Sequence, residues 1–271
     1  MKLGVIGFPV EHSLSPVMQE AALRAAGLEG SYRALETPPP FLRARLQEIR
    51  RDYAGVNVTI PHKESVLAYL DELSPEARAI GAVNTIVCDR QRLIGYNTDA
   101  PGFISSLDEA GIPYRNKKAL VLGAGGAARA IAYALKEEGA HVAVYNRTLE
   151  RAQALCKALG LHLVSAPLLD AAVHSCDLLI NTTSVGLQDP LSSPLPEGCL
   201  PRAGAVVDII YNPPVTRLML EAQRAGLPTL GGLPMLVWQG ALAFELWTGV
   251  KADLRVMYQA AQARLAEALQ P

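Results

Sequence analysis

The chain has 271 residues, half of them hydrophobic, and a formal net charge of −1 at pH 7. This balance provides no basic surface for nucleic acid or for an anionic membrane, so neither is expected as a partner. No apolar run reaches the length of a membrane span, and the apolar opening at residues 1–10 is too short for a signal peptide.

The four cysteines, Cys88, Cys156, Cys176 and Cys199, are widely scattered. They form no C-x-x-C pair and have no histidine at ligand spacing, so we expect neither a metal site nor a disulfide. Free thiols of this kind are typical of a reducing compartment, which predicts a cytoplasmic location.

The first sixty residues alternate between strand and helix. The apolar pattern predicts strands at 2–8, 32–35 and 55–60 and helices at 17–26 and 39–51. Ser15 is expected to cap the first helix, with Pro16 at its first position. Phe41, Leu42, Leu46 and Ile49 form the apolar stripe of the second helix. No glycine fingerprint follows the first strand, so this is a separate α/β unit.

Shorter elements follow this unit. Residues 62–73 are expected to be helical, and a short helix begins near Ser74 and ends at Gly81. Two apolar stretches within 83–96 surround a polar tip at 89–92, a pattern that predicts a hairpin. Residues 97–99 then cap a helix at 101–110.

Residues 118–148 contain the sequence around which the second half is organised. An apolar run at 119–122 leads into G-A-G-G-A-A, which fits G-x-G-x-x-A, and an alanine-rich helix and a second apolar run follow. This strand–turn–helix–strand context is the one that the dinucleotide fingerprint requires. The alternative is a glycine turn that only packs a helix onto a sheet.

The end of the second strand indicates which dinucleotide is bound. Enzymes that use NAD usually have an acidic residue there, whereas this chain has Asn146-Arg147-Thr148 and then Arg151. Guanidinium groups suit a 2′-phosphate, so the predicted cofactor is NADP. The alternative is that both arginines belong to a solvated helix start.

The remaining pattern predicts helices to residue 159 and at 215–225, strands at 177–182 and 205–211, a loop at 188–201, and final helices at 235–247 and 252–269. The fold class is therefore α/β with two domains. Residues 1–100 plus 236–271 are expected to form a substrate-binding catalytic domain, and 101–235 a Rossmann-type NADP-binding domain, with a cleft between them.

Nine stretches, in order along nearly the whole chain, resemble the shikimate dehydrogenase family. They are S-L-S-P at 13–16, N-V-T-I-P-H-K at 57–63, G-A-V-N-T at 81–85, G-Y-N-T-D at 95–99, G-A-G-G-A at 123–127, N-R-T at 146–148, N-T-T-S at 181–184, Asp208 with Y-N-P at 211–213, and Met235-Leu236 with Gln239. Thr182 is a small departure, since the family more often has alanine there.

The resemblance implies reversible reduction of 3-dehydroshikimate to shikimate with NADPH. A monomer or a homodimer is expected, and the sequence does not decide between them. The substrate residues that it implies are Ser13, Ser15, Thr59, Lys63, Asn84, Asp99, Tyr211 and Gln239, of which Lys63 and Asp99 are catalytic. The cofactor residues that it implies are Gly123, Ala124, Gly125, Gly126, Ala127, Asn146, Arg147, Thr148, Arg151, Ile209 and Gly232.

The residues alone leave alternatives open. Ser15 and Asp99 each suit a helix N-cap, and Lys63 suits an exposed surface. Asn57 and Thr59 share one face of a strand, which indicates either an exposed sheet surface or a site. Ketone reduction needs a proton donor, and the chain lacks both a Tyr-x-x-x-Lys pair and a zinc constellation. Lys63, polarised by Asp99, is the remaining candidate that the family supports.

Two other functions stay open from the sequence. One is a non-catalytic NADP-binding or redox-sensing protein on the same fold, against which the retention of both Lys63 and Asp99 argues. The other is a quinate or shikimate enzyme that prefers NAD, against which Arg147 argues.

Overall fold

The computed structural model describes residues 1–268, and residues 269–271, where the predicted last helix was to end, lie outside the described part. The chain divides into two compact units, Met1–Gly102 with Val237–Pro271, and Phe103–Leu236. The division falls within two helices, α5 and α10, whose bounds are given below.

The first unit contains a six-stranded sheet. Its strands are β1 Lys2–Gly7, β2 Ser31–Glu36, β3 Gly55–Val58, β4 Glu72–Leu73, β5 Thr85–Asp89 and β6 Arg92–Tyr96. Its helices are α1 Ser15–Ala25, α2 Leu42–Asp52, α3 His62–Ser65, α4 Pro75–Ile80 and α11 Leu254–Ala268, together with parts of α5 Asp99–Glu109 and α10 Leu233–Thr248.

The strand order in this sheet is β2-β1-β3-β5-β6-β4. Strands β1, β2 and β3 are parallel, whereas β5 runs antiparallel to β3 and forms the predicted hairpin with β6. The chain moves from β1 outward to β2 and then to β3 on the other side of β1. In open α/β sheets, such a reversal of strand order is where ligands bind, beyond the carboxyl ends of the strands.

Helix α10 packs closely against β3 and β5. The indole nitrogen of Trp247 donates a hydrogen bond of 3.0 Å to the carbonyl of Ile86, and the Tyr32 and Trp247 rings lie 6.1 Å apart. A Cβ at Gly55 would collide with the Trp247 indole, so the close approach requires glycine at this position.

The second unit is a six-stranded, wholly parallel sheet with helices. Its strands are β7 Lys118–Leu122, β8 His141–Tyr145, β9 His162–Leu163, β10 Leu178–Asn181, β11 Ala205–Asp208 and β12 Thr229–Leu230. Its complete helices are α6 Gly126–Glu137, α7 Leu149–Leu159, α8 Leu169–Ser175 and α9 Arg217–Arg224. The order β12-β11-β10-β7-β8-β9 is the Rossmann order, as the fingerprint predicts.

Three local predictions are wrong. Ser15 lies inside α1, and Leu14 occupies the cap position without a side-chain cap bond. Phe41 is 61% exposed, because a 3-10 turn at Pro39–Phe41 precedes α2 and turns the ring away from the stripe. Residues 62–73 are a short helix, a 3-10 turn at Val66–Tyr69 and the strand β4, since pairing with β6 competes with continuation of the helix.

The four cysteines are free thiols, and three of them are buried. Burial raises the pKa of Cys88 and of Cys199 to about 11 and that of Cys176 to about 12. Within residues 1–268, no helix is long and apolar enough to cross a membrane, and no group of acidic, histidine and cysteine side chains is arranged to hold a metal ion.

Candidate active site

Lys63 and Asp99 form a largely buried ion pair in the first unit. Lys63 lies on α3, just after β3, and Asp99 is the first residue of α5. The Lys63 Nζ lies 2.6 Å from Asp99 Oδ2, and the two side chains are 19% and 5% exposed. The alternative of a surface lysine is therefore wrong. An ammonium held in this way is rigid and can donate a proton to an oxygen placed beside it.

Asn84 holds the other oxygen of the same carboxylate. Its side-chain nitrogen lies 2.9 Å from Asp99 Oδ1, 2.9 Å from Thr98 Oγ1 and 3.2 Å from Gln239 Oε1. Its side-chain oxygen accepts from the backbone nitrogen of Thr98 at 2.7 Å. The structure thus brings together four of the predicted site residues, namely Lys63, Asn84, Asp99 and Gln239.

Asp99 does not serve as the helix cap. Asn97 performs that role, since its Oδ1 accepts from the backbone nitrogen of Ala100 at 3.1 Å. Both carboxylate oxygens of Asp99 are directed to Asn84 and Lys63 instead. The geometry therefore favours the functional interpretation of Asp99 over the capping interpretation.

Ser13 and Ser15 lie in the segment after β1, near the carboxyl end of that strand. Ser13 is half-buried, and its hydroxyl accepts from the backbone nitrogen of Ser15 at 3.2 Å. Thr59 follows β3, is half-buried, and donates its backbone N–H to the carbonyl of Ile6 at 2.9 Å. These residues lie at the point between β1 and β3 where the strand order reverses.

His62 has a structural role beside the Lys63–Asp99 pair. It is buried, and its Nε2 lies 2.6 Å from the carbonyl of Thr37. This contact fixes the start of α3 and hence the position of Lys63, the next residue.

The glycine loop of the second unit fits a bound pyrophosphate. Gly123 has φ of +118°, and a Cβ there would collide with the Thr182 hydroxyl, which donates to the carbonyl of Leu122 at 2.7 Å. Gly125 caps α6 without a side-chain cap bond, and open space surrounds the position of its missing Cβ. The first N–H groups of this twelve-residue helix are therefore left for an anion.

The end of β8 presents polar and cationic groups. The Asn146 side chain donates to the carbonyl of Thr148 at 2.8 Å, which shapes the turn into α7. Arg147 and Arg151 are both exposed at the start of α7. Such side chains can reach a phosphate without first breaking a buried contact.

Ile209 and Gly232 are in direct contact within the second unit. The backbone nitrogen of Gly232 donates to the carbonyl of Ile210 at 3.0 Å, and a Cβ at Gly232 would collide with the carbonyl of Ile209. Two of the predicted cofactor residues therefore lie on two chain segments that pack tightly against each other. Tyr211 follows Ile209, half-buried, and belongs to the second unit, unlike the other predicted substrate residues.

Asp208 anchors the segment that carries Ile209 and Tyr211, a role that the sequence alone does not reveal. Its carboxylate accepts from the backbone nitrogen of Ile210 at 3.1 Å, from Asn181 Nδ2 at 3.1 Å and from Thr216 Oγ1 at 2.8 Å. Burial raises the pKa of this carboxyl, against those hydrogen bonds. The signal in the sequence was an acidic residue at the end of an otherwise apolar strand.

Comparison with known proteins identifies the family. The model for the shikimate dehydrogenase substrate binding domain matches residues 5–86, that for shikimate / quinate 5-dehydrogenase matches 107–191, and that for the shikimate 5'-dehydrogenase C-terminal domain matches 232–262. Shikimate dehydrogenase (NADP(+)) of one strain of Thermus thermophilus is 54% identical over 265 residues, which cover 98% of this chain and 99% of that protein. The chain belongs to the shikimate dehydrogenase family.

Other shikimate dehydrogenases are similar over the same length. The enzyme of Symbiobacterium thermophilum is 46% identical, and the match covers 97% of this chain and 94% of that protein. The crystal structure of shikimate 5-dehydrogenase from a second strain of Thermus thermophilus, in complex with NADP(H) and shikimate, has a TM-score of 0.92 at 52% identity. That match covers 97% of this chain and 99% of the other.

Proposed function

We propose that this shikimate dehydrogenase catalyses the reversible, NADPH-dependent reduction of 3-dehydroshikimate to shikimate in aromatic amino acid biosynthesis. The observation that carries the proposal is the Lys63–Asp99 pair, held by Asn84 and Gln239, in a chain whose second unit has an open glycine loop. The name of the relative that is 54% identical supports the substrate and the cofactor.

NADPH, when bound, supplies a hydride to the carbonyl carbon of the substrate. Negative charge then develops on the carbonyl oxygen, and a proton must arrive there. Lys63 donates that proton from Nζ, and its charge stabilises the oxygen beforehand. Asp99 holds the Lys63 ammonium in a fixed orientation, because its carboxylate accepts from Lys63 Nζ and is itself fixed by Asn84. In the oxidation of shikimate, Lys63 accepts the proton instead.

Ser13 and Ser15 are proposed to bind the substrate carboxylate, since short hydroxyl donors at a helix start suit an anion. Thr59, Asn84, Asp99, Gln239 and Tyr211 are proposed to contact the substrate hydroxyls. In the second unit, the N-terminus of α6 would hold the pyrophosphate of NADP, Arg147 and Arg151 would hold its 2′-phosphate, and Ile209 and Gly232 would line the rest of the cofactor site. The free thiols favour a cytoplasmic location.

The test of the proposed function follows NADP reduction by absorbance with shikimate, then with quinate, then with NAD in place of NADP. Activity with shikimate and NADP is expected to exceed the other two combinations. Absence of activity with shikimate, together with retained NADP binding, would favour a non-catalytic NADP-binding protein. Higher activity with quinate and NAD would instead favour a quinate or shikimate enzyme that prefers NAD.

Replacement of both Ser13 and Ser15 by alanine is expected to raise the Michaelis constant for shikimate by about ten- to a hundredfold. The reason is the loss of two hydrogen bonds to a charged group. Binding of NADP, measured by calorimetry, should remain nearly unchanged, because both serines lie in the unit without a glycine fingerprint. A loss of NADP affinity would instead show that the two units have been assigned to the wrong ligands.

Arg147→Ala is expected to raise the Michaelis constant for NADP by about ten- to a hundredfold and to change that for NAD little. A charge-assisted contact with the 2′-phosphate contributes about 1.5–3 kcal/mol, and NAD lacks that group. Arg224→Ala removes another exposed arginine of the second unit and serves as the control. Equal effects of Arg147→Ala on both cofactors would contradict the assignment.

A further inference from the structure

A buried chain of polar side chains continues behind the Lys63–Asp99 pair, and Asn57 lies at its centre. Asn57 is on β3, where all four residues are buried, and it is 5% exposed. Its Oδ1 accepts from the Tyr32 hydroxyl at 2.7 Å. Its Nδ2 donates to the carbonyl of Asn84 at 3.2 Å and to Thr85 Oγ1 at 3.1 Å. The Asn57 side chain on β3 therefore contacts β2, beyond the intervening strand β1, on one side and β5 on the other.

One end of the chain reaches the catalytic pair. The Thr85 hydroxyl lies 3.1 Å from Asn84 Oδ1 and 3.1 Å from Thr98 Oγ1. Asn84 in turn donates to Asp99, whose other oxygen holds Lys63. Asn57 thus contacts both the backbone of Asn84 and the threonine that fixes the Asn84 side chain.

The other end reaches the proposed carboxylate site. Tyr32 is almost completely buried, and this burial raises the pKa of its hydroxyl well above the usual value. The Ser15 side chain interacts with that hydroxyl, and this interaction lowers the pKa of Tyr32 in part. Ser15 is thereby connected to Asn84 and Asp99 through Tyr32, Asn57 and Thr85, three buried residues that have no role in the proposed chemistry.

We propose that Asn57 is a positioning residue, which fixes Asn84 and hence the Asp99 carboxylate, and which connects the proposed carboxylate site at Ser15 to the catalytic pair. The inference rests on the proposed function. A β-strand interior normally contains apolar side chains, and a buried amide is stable there only because each of its polar atoms has a partner. Buried networks with every member satisfied specify a single arrangement of their side chains.

The test compares Asn57→Ala with the wild type. Loss of the amide leaves Asn84, Thr85 and Tyr32 each without one partner, so we expect kcat for shikimate oxidation to fall by about ten- to a hundredfold. The NADP dissociation constant, measured by calorimetry, should change by less than about twofold, since Asn57 lies in the first unit. Ser74→Ala is the control, because it removes another buried hydrogen bond of this unit, the cap of α4.

Asn57→Asp gives a readout that a merely structural role would not produce. In its protonated form the new carboxyl group can accept from Tyr32 and donate toward Asn84 or Thr85, as the amide does. In its ionised form the carboxylate has no donor, and its oxygen would repel the carbonyl oxygen of Asn84. We therefore expect kcat of this variant to approach the wild type at low pH and to fall as pH rises, in a step that wild type lacks.

Tyr32→Phe tests the connection to the proposed carboxylate site. This change removes the contact with Ser15 and the hydrogen bond to Asn57 Oδ1, but it leaves both bonds from Asn57 Nδ2 in place. It should therefore raise the Michaelis constant for shikimate and change kcat by less than about threefold.

Two results would overturn the inference. One is a kcat of Asn57→Ala within about twofold of Ser74→Ala at saturating substrate. The other is a pH profile of Asn57→Asp parallel to that of the wild type. If wild type itself does not oxidise shikimate, the proposed function fails, and this failure is seen before any variant is compared.

Discussion

Replacement of Lys63 by methionine is expected to lower turnover by about 10²–10⁴-fold, while shikimate binding weakens far less. Methionine keeps the length of the side chain but has no proton to donate. Without the ammonium, negative charge on the substrate oxygen is left unneutralised at the moment of hydride transfer. The effect is on kcat because the interaction with that charge is stronger in the transition state than in the bound substrate.

The measurement is kcat at saturating shikimate and NADP, with the shikimate dissociation constant determined separately by calorimetry. Lys251→Met is the matched control, since Lys251 is an exposed lysine of the same unit. Near-normal turnover by Lys63→Met would remove Lys63 from the mechanism and leave Asp99 or a bound water as the proton donor.

Asp99→Asn is expected to lower turnover to a similar degree and also to weaken shikimate binding. Both partners of the Asp99 carboxylate, Lys63 Nζ and Asn84 Nδ2, are donors, whereas the new amide has only one acceptor oxygen. Its NH2 group would face one of the two donors in either orientation, and Lys63 would lose its charged acceptor. Asp99 is also proposed to accept a hydrogen bond from a substrate hydroxyl, which explains the effect on binding.

The double variant separates a joint role from two independent ones. Because Lys63 and Asp99 act as a unit, the two changes together should cost less than the product of the single losses in kcat/KM. Kinetics of the wild type, both single variants and the double variant complete the cycle. Strictly multiplicative losses would mean that Asp99 acts on the substrate alone and does not act through Lys63.

The elements that the sequence predicted well are those with a strong local pattern. The run of 118–148 predicted β7, α6 and β8 correctly, since glycines and apolar runs determine these elements within a few residues. The prediction that Ser15 caps α1 is wrong for an equally local reason. The Ser13 hydroxyl accepts the Ser15 N–H and lets the helix begin at Ser15 itself.

The role of Asp99 could not be decided locally. By its sequence pattern, a carboxylate that follows Asn97-Thr98 is a good helix cap. The structure shows a different contact, because the sheet brings Lys63, which lies 36 positions earlier in the chain, to this carboxylate. Asn57 presented the same difficulty. Strand alternation places it on the face of Thr59, but its partners Tyr32 and Thr85 come from other strands of the same sheet. The family resemblance suggested a catalytic role for Asp99, but it suggested none for Asn57.

The packing of Trp247 against β3 and β5 has a spectroscopic consequence. The chain has two tryptophans, Trp238 and Trp247, and both belong to the first unit. Tryptophan emission therefore monitors the melting of that unit alone, whereas far-ultraviolet circular dichroism responds to the helices of both. Superimposable transitions from the two probes indicate that the units unfold as one cooperative block, and separated transitions give each unit its own melting temperature.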